Sequence, residues 1–184
     1  MANMRRIETL RRIREEFMEL TRNPNLNLGV VVVLPNEDDI FNWKISVIAP
    51  RDTPYMGGLF LILLHFPDNY PNAHPEIRFK TPIYHLNVNP RAMPNNNNLG
   101  DICLSVLNFW KPEYKVADII VSIYALFYMV NPDSPYGFDR RDEYINNKIL
   151  YEEKVRYFTR KYANPSNNNI DREYNEVWDF SFHP

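Results

Sequence analysis

Residues 41–66 read FNWKISVIAPRDTPYMGGLFLILLHF, and this segment decides the fold. Its first part alternates polar residues with the apolar residues Phe41, Trp43, Ile45 and Val47. Such alternation is typical of a strand with one buried face. A turn-rich connection, Pro50–Gly58, leads to the apolar run Leu59–Phe66, which we predict to be a buried strand. Two strands joined this closely are expected to pair antiparallel.

The upstream sequence and the residues just beyond the segment extend this predicted hairpin. Val30–Leu34 and Glu76–Lys80 have the β-branched or alternating pattern of short strands. At the start of the chain, apolar residues recur at three- and four-residue steps and predict an amphipathic helix over Arg5–Leu20. A helix followed by four closely connected strands favours a meander over a parallel sheet.

The remaining sequence is irregular at first and then helical. Thr81–Glu113 lacks periodicity, contains the lone cysteine and is the candidate active-site loop. A helix is predicted over Val116–Val130, and helical periodicity returns between Asp142 and Ala163. We therefore predict an α+β fold with an N-terminal helix, a four-stranded antiparallel meander sheet, an irregular active-site loop, a crossover helix and C-terminal helices. Residues 1–163 are expected to form the core domain, and residues 164–184 a C-terminal extension.

Composition narrows the possible functions. The chain has 184 residues, 45% of them hydrophobic, which suits one domain with a sizeable core. Its formal net charge of −2 gives no reason to expect nucleic acid or an anionic membrane as partner. No stretch approaches the roughly 20 apolar residues of a membrane span. With one cysteine and a charged N-terminal segment, we expect no metal, no cofactor and a reducing location, cytoplasmic and/or nuclear.

Cys103 is the most informative single residue. It lies in GDICLSVL, residues 100–107, and the chain has no second cysteine. A thiol needs no partner cysteine to act as a nucleophile, whereas a disulfide or an all-cysteine metal site does. Cys103 is therefore a candidate for covalent catalysis. The alternative is a small buried apolar residue, which is what most lone cysteines are.

Six short signatures in a fixed order resemble those of the ubiquitin-conjugating enzymes. They are Tyr55 with Gly57-Gly58, Phe66-Pro67 with Tyr70-Pro71, His85-Leu86-Asn87, Ile102-Cys103-Leu104, Trp110-Lys111-Pro112, and Asn131-Pro132 with Pro135. The resemblance covers roughly Arg5–Ala163 and makes residues 1–163 a ubiquitin-conjugating core domain. It implies that Cys103 accepts ubiquitin as a thioester from an activating enzyme, in an ATP-dependent pathway, and passes it to a substrate lysine or a ligase.

The resemblance also implies roles for the residues around the cysteine. Asn87 matches an asparagine that donates a hydrogen bond to the oxyanion of the aminolysis step, although it could instead fix its loop. His85 matches a structural histidine, and a thiol needs no histidine partner to be a few per cent thiolate at neutral pH. Trp110 and Pro112 are structural residues near the site. Ser134 takes the place of an acidic gate residue, and we hypothesise that its phosphorylation would supply negative charge; an ordinary turn serine is the alternative.

Three surfaces are expected to meet partners by the same resemblance. Arg11 and Arg12 on the first helix would contact the activating enzyme, unless they only form a solvated face. Asn72, where many members carry phenylalanine, lies in a loop that meets the ubiquitin ligase, so the choice of ligase would be altered. The second helix would hold the thioester-linked ubiquitin with the strip Asp118, Val121, Ser122 and Ala125.

Departures from the family pattern leave alternatives open. Leu86 replaces a proline, about eight extra residues separate Asn87 from Cys103 within 90–98, and the segment from Cys103 to Trp110 is one residue short. A catalytically weak module that binds ubiquitin or another partner is therefore the second function class. A conjugating enzyme for SUMO is a further alternative, which the short segment disfavours. A cysteine protease built on Cys103, His85 and Asn87 is a distant third.

Overall fold

The fold consists of a four-stranded sheet and five helices within the residues described. The structure, a computed structural model, describes residues 2–22, 30–33, 39–91, 98–166 and 178–182, with residues 2, 3 and 30–33 described in the backbone only. The elements in chain order are α1 Ala2–Arg22, β1 Val30–Val33, β2 Asn42–Ile48, β3 Leu59–His65, β4 Glu76–Phe79, α2 Ser105–Asn108, α3 Val116–Leu126, α4 Phe138–Asn146 and α5 Lys148–Tyr162.

The strands pair antiparallel in the order β1-β2-β3-β4. The predicted hairpin of residues 41–66 is present, with Asn42 opposite His65 and Ile48 opposite Leu59. β1 continues the sheet on one side by backbone pairing, and β2, β3 and β4 form the part whose side chains are described. The α+β class, the N-terminal helix, the antiparallel sheet and the C-terminal helices agree with the sequence prediction.

The core lies between one face of the sheet and the helices α1, α3 and α5. Alternate residues of β2 are buried, as its sequence pattern predicts, because each second side chain points into this layer. The helices contribute apolar residues at helical spacing, among them Ile13, Ile119, Ile123, Val155 and Phe158. Aromatic rings fill much of the volume, and Phe60 contacts both Phe79 and Phe127 edge-on or tilted. Val88, Ile102 and Leu104 of the irregular loop belong to the same core.

All three predicted helical regions have different limits in the structure, and α1 runs over Ala2–Arg22 where Arg5–Leu20 was predicted. α3 ends at Leu126 and not at Val130, because the amide of Phe127 bonds the carbonyl of Tyr124 in a tighter turn. The C-terminal helical region starts at Phe138 and breaks at Asn147, whose backbone leaves the helical region. The Asn147 side chain accepts from the amide of Leu150 at 3.2 Å and so caps α5.

The C-terminal extension contacts the core at the residues described. Trp178 is 2% exposed and belongs to the hydrophobic core cluster, and its neighbours Phe180 and Phe182 pack against the same cluster. Residues 167–177, 183 and 184 lie outside the described part. The division into a core of residues 1–163 and an extension of residues 164–184 stays a prediction. Among the helices described, none has the length and apolar character needed to span a bilayer.

Candidate active site

Cys103 lies in the irregular loop, two residues before α2 begins, and is partly exposed. Its amide donates to the carbonyl of Asn87 at 3.1 Å, next to an antiparallel bridge between Val88 and Ile102. Its Sγ atom lies 3.1 Å from the Oγ atom of Ser134, and the two share a hydrogen bond. The structure thus brings together three of the residues predicted to form the site.

The side chain of Asn87 is buried and fastens two loops to each other. Its Nδ2 group donates to the carbonyls of Asn131 at 2.7 Å and of Ser134 at 2.8 Å. Its Oδ1 atom accepts from the amide of Asn131 at 2.7 Å. Both amide hydrogens are therefore occupied, and the side chain fixes the loop that carries Ser134 against the loop that carries Cys103.

His85 is fully buried and is held in one tautomer by two contacts. Its Nε2 atom lies 3.1 Å from the carbonyl of Leu126, and its Nδ1 atom accepts from the amide of Asn87 at 3.0 Å. Burial lowers the pKa of His85 to about 4, so the imidazole is neutral at physiological pH. The ring ties α3 to the Asn87 loop, and no described hydrogen bond joins it to Cys103.

Leu86, which replaces the family proline, is integrated into the core. The side chain is fully buried, and the backbone amide, which a proline would lack, donates to the hydroxyl of Tyr151 at 3.2 Å. Burial raises the pKa of Tyr151 to about 12, so the phenol stays protonated. The carbonyl of Leu86 accepts from the amide of Tyr136 at 2.8 Å. The turn is thus fixed by hydrogen bonds where the proline would have restricted the backbone.

The lengthened segment between Asn87 and Cys103 is closed at its base. Asn89 exchanges backbone hydrogen bonds with Gly100 and Asp101 at 2.8 and 2.9 Å, and its side-chain amide donates to Asn98 at 2.9 Å. Gly100 has φ +83°, and a Cβ atom there would lie 2.0 Å from the carbonyl oxygen of Phe79, so only glycine fits. Residues 92–97 lie outside the described part. Because the base is paired, the extra residues leave Asn87 bonded to Cys103.

Two residues that the sequence analysis did not select lie beside the site. Asp101 is half-buried, and this burial raises the pKa of its carboxyl to about 6 despite the cation of Arg78. Burial raises the pKa of the Tyr136 hydroxyl, and the nearby Asp101 and Cys103 raise it further. Asp101 stands in the GDICLSVL segment, so its position was visible in the sequence. Its burial depends on contacts between distant segments, which the sequence did not reveal.

Trp110 and Pro112 lie on the loop between α2 and α3. The indole of Trp110 donates to the carbonyl of Pro71 at 2.7 Å and its ring contacts Tyr70 and Tyr114. It therefore clamps two loops together, in agreement with a structural role. Pro112 is exposed, and so is Asn72 on the clamped neighbouring loop.

The predicted partner surfaces occupy other parts of the molecule. On α3 the strip from Asp118 to Ala125 runs along the solvent side, and Val121 is 50% exposed. On α1 the exposed Arg11 pairs with Glu15 one turn later, at 2.7 Å. Arg12 is committed to the fold instead, because it pairs with the buried Glu16 at 2.5 Å and donates to a backbone carbonyl. The partner roles of these residues stay predictions.

The chain belongs to the ubiquitin-conjugating enzyme family. The family's sequence model matches residues 12–159, which include every strand with described side chains and the whole of the candidate site. Membership implies a conjugating transferase that works with an activating enzyme, ligases and a ubiquitin-like modifier. Within the described residues, no cluster of histidine, cysteine and carboxylate side chains could hold a metal ion.

Proposed function

We propose that the chain is a ubiquitin-conjugating transferase that carries ubiquitin as a thioester on Cys103. The main support is the position of Cys103, which is partly exposed. Its thiol shares a hydrogen bond with the Ser134 hydroxyl, and its backbone amide donates to the carbonyl of Asn87. A macromolecular thioester can reach such a thiol, whereas a buried structural cysteine would be shielded. The fixed surroundings limit the motion of the nucleophile.

The first step exchanges one thioester for another. The Cys103 thiolate attacks the carbonyl carbon that joins ubiquitin to the activating enzyme, and a new carbon–sulfur bond forms. The old carbon–sulfur bond breaks, and the cysteine of the activating enzyme leaves as a thiolate. No oxidant, metal or cofactor is needed, because a thiolate replaces a thiolate. In this pathway ATP is consumed upstream by the activating enzyme.

The second step transfers ubiquitin to an amine or to a ligase cysteine. With a lysine, a carbon–nitrogen bond forms, the Cys103 thiolate leaves, and the amine proton passes to solvent. The tetrahedral oxyanion needs a donor, and loss of one donor typically costs about 10² to 10³ in rate. Asn87 can supply it only by exchanging one of its two Nδ2 contacts, to Asn131 or Ser134, for the oxyanion.

The modifier, the partners and the location are also part of the proposal. We favour ubiquitin over SUMO because the segment from Cys103 to Trp110 is shorter than in the SUMO-conjugating branch. The activating enzyme would contact the α1 surface around Arg11, and a ligase would contact the exposed loops of Asn72 and Pro112. A nucleophilic thiol must stay reduced, which suits the cytoplasm or the nucleus.

A charging assay tests the proposal. The protein is incubated with activating enzyme, ATP and ubiquitin, and in parallel with SUMO and its own activating enzyme. We expect a new band on a non-reducing gel. Treatment of one sample with a reducing thiol should remove this band, and addition of free lysine to a second sample should remove it as well. Cys103→Ala should abolish the band, while Ser105→Ala, an exposed site two residues away, should leave it intact. A band that forms equally in Cys103→Ala would overturn the proposal.

A binding module of the same fold is the second candidate function. One observation favours it: both amide hydrogens of Asn87 are already bonded to loop carbonyls. For this candidate we expect no thioester with either modifier from folded protein. Ubiquitin titrated into the labelled chain would then still shift the resonances of α3, equally in wild type and Cys103→Ala.

A further inference from the structure

The residues Trp178–Phe182, called the C-terminal strap here, lie outside the family match of residues 12–159 but pack on its core. The ring of Phe180 lies 4.8 Å from that of Phe158 and 5.2 Å from that of Tyr84. Trp178 is almost completely buried. The strap is thus an addition to the family core that contacts it through aromatic rings.

Hydrogen bonds and an ion pair join the strap to two neighbouring segments, the lengthened loop and α5. The amide of Trp178 donates to the carbonyl of Pro90 at 3.1 Å, at the start of that loop. On the other side, the Tyr162 hydroxyl donates to the carbonyl of Asp179, and the Asp179 carboxylate pairs with Lys161 at 3.0 Å. The strap therefore bridges the helix and the loop that leads to Cys103.

Arg140 connects the strap to the active-site turn. Its guanidinium carbon lies 5.1 Å from the ring centres of both Tyr84 and Phe180. The same group donates to the carbonyl of His85 at 3.0 Å and approaches the carbonyl of Val88. Among the described residues, no carboxylate forms an ion pair with it. Within the described residues, its contacts include the two ring faces and the two carbonyls.

The two carbonyls that Arg140 contacts flank Asn87. The turn from His85 to Val88 presents the Asn87 side chain to the loop of residues 131–134, and the Asn87 carbonyl holds the amide of Cys103. A displacement of Arg140 would remove one hydrogen bond from His85 at one end of this turn and one contact from Val88 at the other. The hydrogen bonds of Leu86 and of the Asn87 side chain would remain, but the turn that carries Asn87 would be held less tightly.

We propose that the C-terminal strap is a positioning element of the active site. Phe180 holds Arg140, and Arg140 holds the turn that places Asn87 for transfer to lysine. The expected effect on lysine discharge rests on the proposed function, whereas the expected effect on the placement of Asn87 does not. Charging depends on thiol access, so it is insensitive to this placement, whereas lysine discharge depends on it.

The alternative is a strap that only stabilises the fold, and matched substitutions separate the two. Phe180→Leu keeps an apolar side chain but removes the ring face over Arg140, while Phe180→Tyr keeps the face. Phe182→Leu is the control, because its ring lies over Lys154 and not over Arg140. Arg140→Lys keeps the charge and loses the planar group that stacks and donates at once.

The test compares charging and discharge in single turnover on the full chain, with melting curves to verify folding. We expect Phe180→Leu and Arg140→Lys to charge at a rate within about twofold of wild type and to discharge to lysine about tenfold more slowly. The slowing is smaller than the roughly 10²- to 10³-fold loss that removal of an oxyanion donor causes, because Asn87 itself is still present. Phe180→Tyr and Phe182→Leu should discharge like wild type. Equal discharge in Phe180→Leu and wild type, or equal slowing in Phe182→Leu, overturns the proposal.

Hydrogen exchange provides a readout that needs no thioester. The amide of Asn131 bonds the Oδ1 atom of Asn87, so its exchange reports whether Asn87 is in place. We expect faster exchange at Asn131 in Phe180→Leu and not in Phe182→Leu. If wild type forms no thioester, the proposed function fails, and this exchange still decides the strap proposal. Unchanged exchange at Asn131 in Phe180→Leu contradicts it.

Discussion

At the scale of single residues, Asn87 joins the stability of the site to its chemistry. Its buried amide makes three hydrogen bonds to the loop of residues 131–134 and leaves no hydrogen for a substrate. The two roles considered for it, oxyanion donor and loop anchor, therefore compete for the same atoms. A loss of activity on substitution cannot by itself assign the catalytic role.

We predict that Asn87→Ala lowers the free energy of unfolding by about 2–4 kcal/mol, since it leaves buried loop groups without partners. Asn72→Ala, an exposed asparagine, should change stability by less than about 0.5 kcal/mol. Denaturant unfolding followed by circular dichroism measures both. If the two variants are equally stable, the anchoring role of Asn87 is wrong.

Ser134 is predicted to control charging and discharge in opposite directions. Its Oγ atom lies 3.1 Å from the thiol, so the carboxylate of Ser134→Asp repels the thiolate and slows charging about three- to tenfold. The same charge attracts the ammonium group of an incoming lysine and speeds discharge about two- to fivefold. Ser134→Asn, neutral and of equal size, is the control in single-turnover assays. If Ser134→Asp charges and discharges at the same rates as Ser134→Asn, a charge at this position has no effect, and the phosphorylation hypothesis is wrong.

His85 is predicted to stay neutral down to about pH 4 in the folded protein. An unfolded histidine takes up its proton near pH 6.5, so between these values the unfolded state binds more protons. His85 therefore lowers stability as the pH falls from about 6.5 to 4, by roughly 3 kcal/mol in full. The positive charge of the neighbouring Arg140 also lowers the pKa of His85. Nitrogen NMR of the imidazole checks the prediction. An imidazolium signal at pH 6 would contradict it.

At the scale of elements, α3 presents a strip that was predicted from the spacing of Asp118, Val121, Ser122 and Ala125. Val121 of the strip is exposed, as is Ser122 in part, and the Ser122 hydroxyl donates to the carbonyl of Asp118 one turn earlier. An exposed valine needs no explanation by itself. The functional role of the strip thus depends on a measurement with ubiquitin attached.

We predict that Val121→Arg leaves charging unchanged and slows lysine discharge about tenfold, because it disturbs the docking of the linked ubiquitin. Ile145→Arg on α4 is the matched control, since the two residues are 50% and 52% exposed. Single-turnover discharge of the purified thioester measures the effect. If both substitutions slow discharge alike, the effect is general and the strip has no special role.

Element limits were predicted well where the pattern was local and poorly where distant contacts decided them. β2 follows its alternating sequence residue by residue. α3 stops at Leu126, four residues before the apolar pattern ends, and the Leu126 carbonyl bonds His85 from a loop 41 residues away. The break at Asn147 depends on a side-chain cap that the periodicity of Asp142–Ala163 did not reveal.

At the scale of the whole molecule, the strap could not have been placed from sequence. The sequence predicts only a C-terminal extension, whereas Phe180 of the strap contacts Tyr84 and Phe158, which lie elsewhere in the chain. The candidate site was predictable in Cys103, Asn87, His85 and Ser134 because the family motifs are local. Arg140 and Asp101 carry no local signal, because burial and long-range contacts give them their importance.

We predict that Trp178→Ala lowers the free energy of unfolding by about 3–5 kcal/mol, as for other buried aromatic residues. Phe138→Ala, an aromatic residue that is 74% exposed, is the control and should cost less than about 1 kcal/mol. Denaturation followed by circular dichroism should give one transition in each case. An unaffected Trp178→Ala variant would show that the strap does not belong to the folded unit.

The most direct test of the central claim is the intact mass of the full chain after charging. The protein is incubated with activating enzyme, ATP and ubiquitin, and its mass is measured before and after treatment with excess thiol. A gain of one ubiquitin, lost on thiol treatment and absent from Cys103→Ala, is the result we predict. No gain with ubiquitin or SUMO from folded protein, or a gain that persists in Cys103→Ala, would contradict thioester transfer through Cys103.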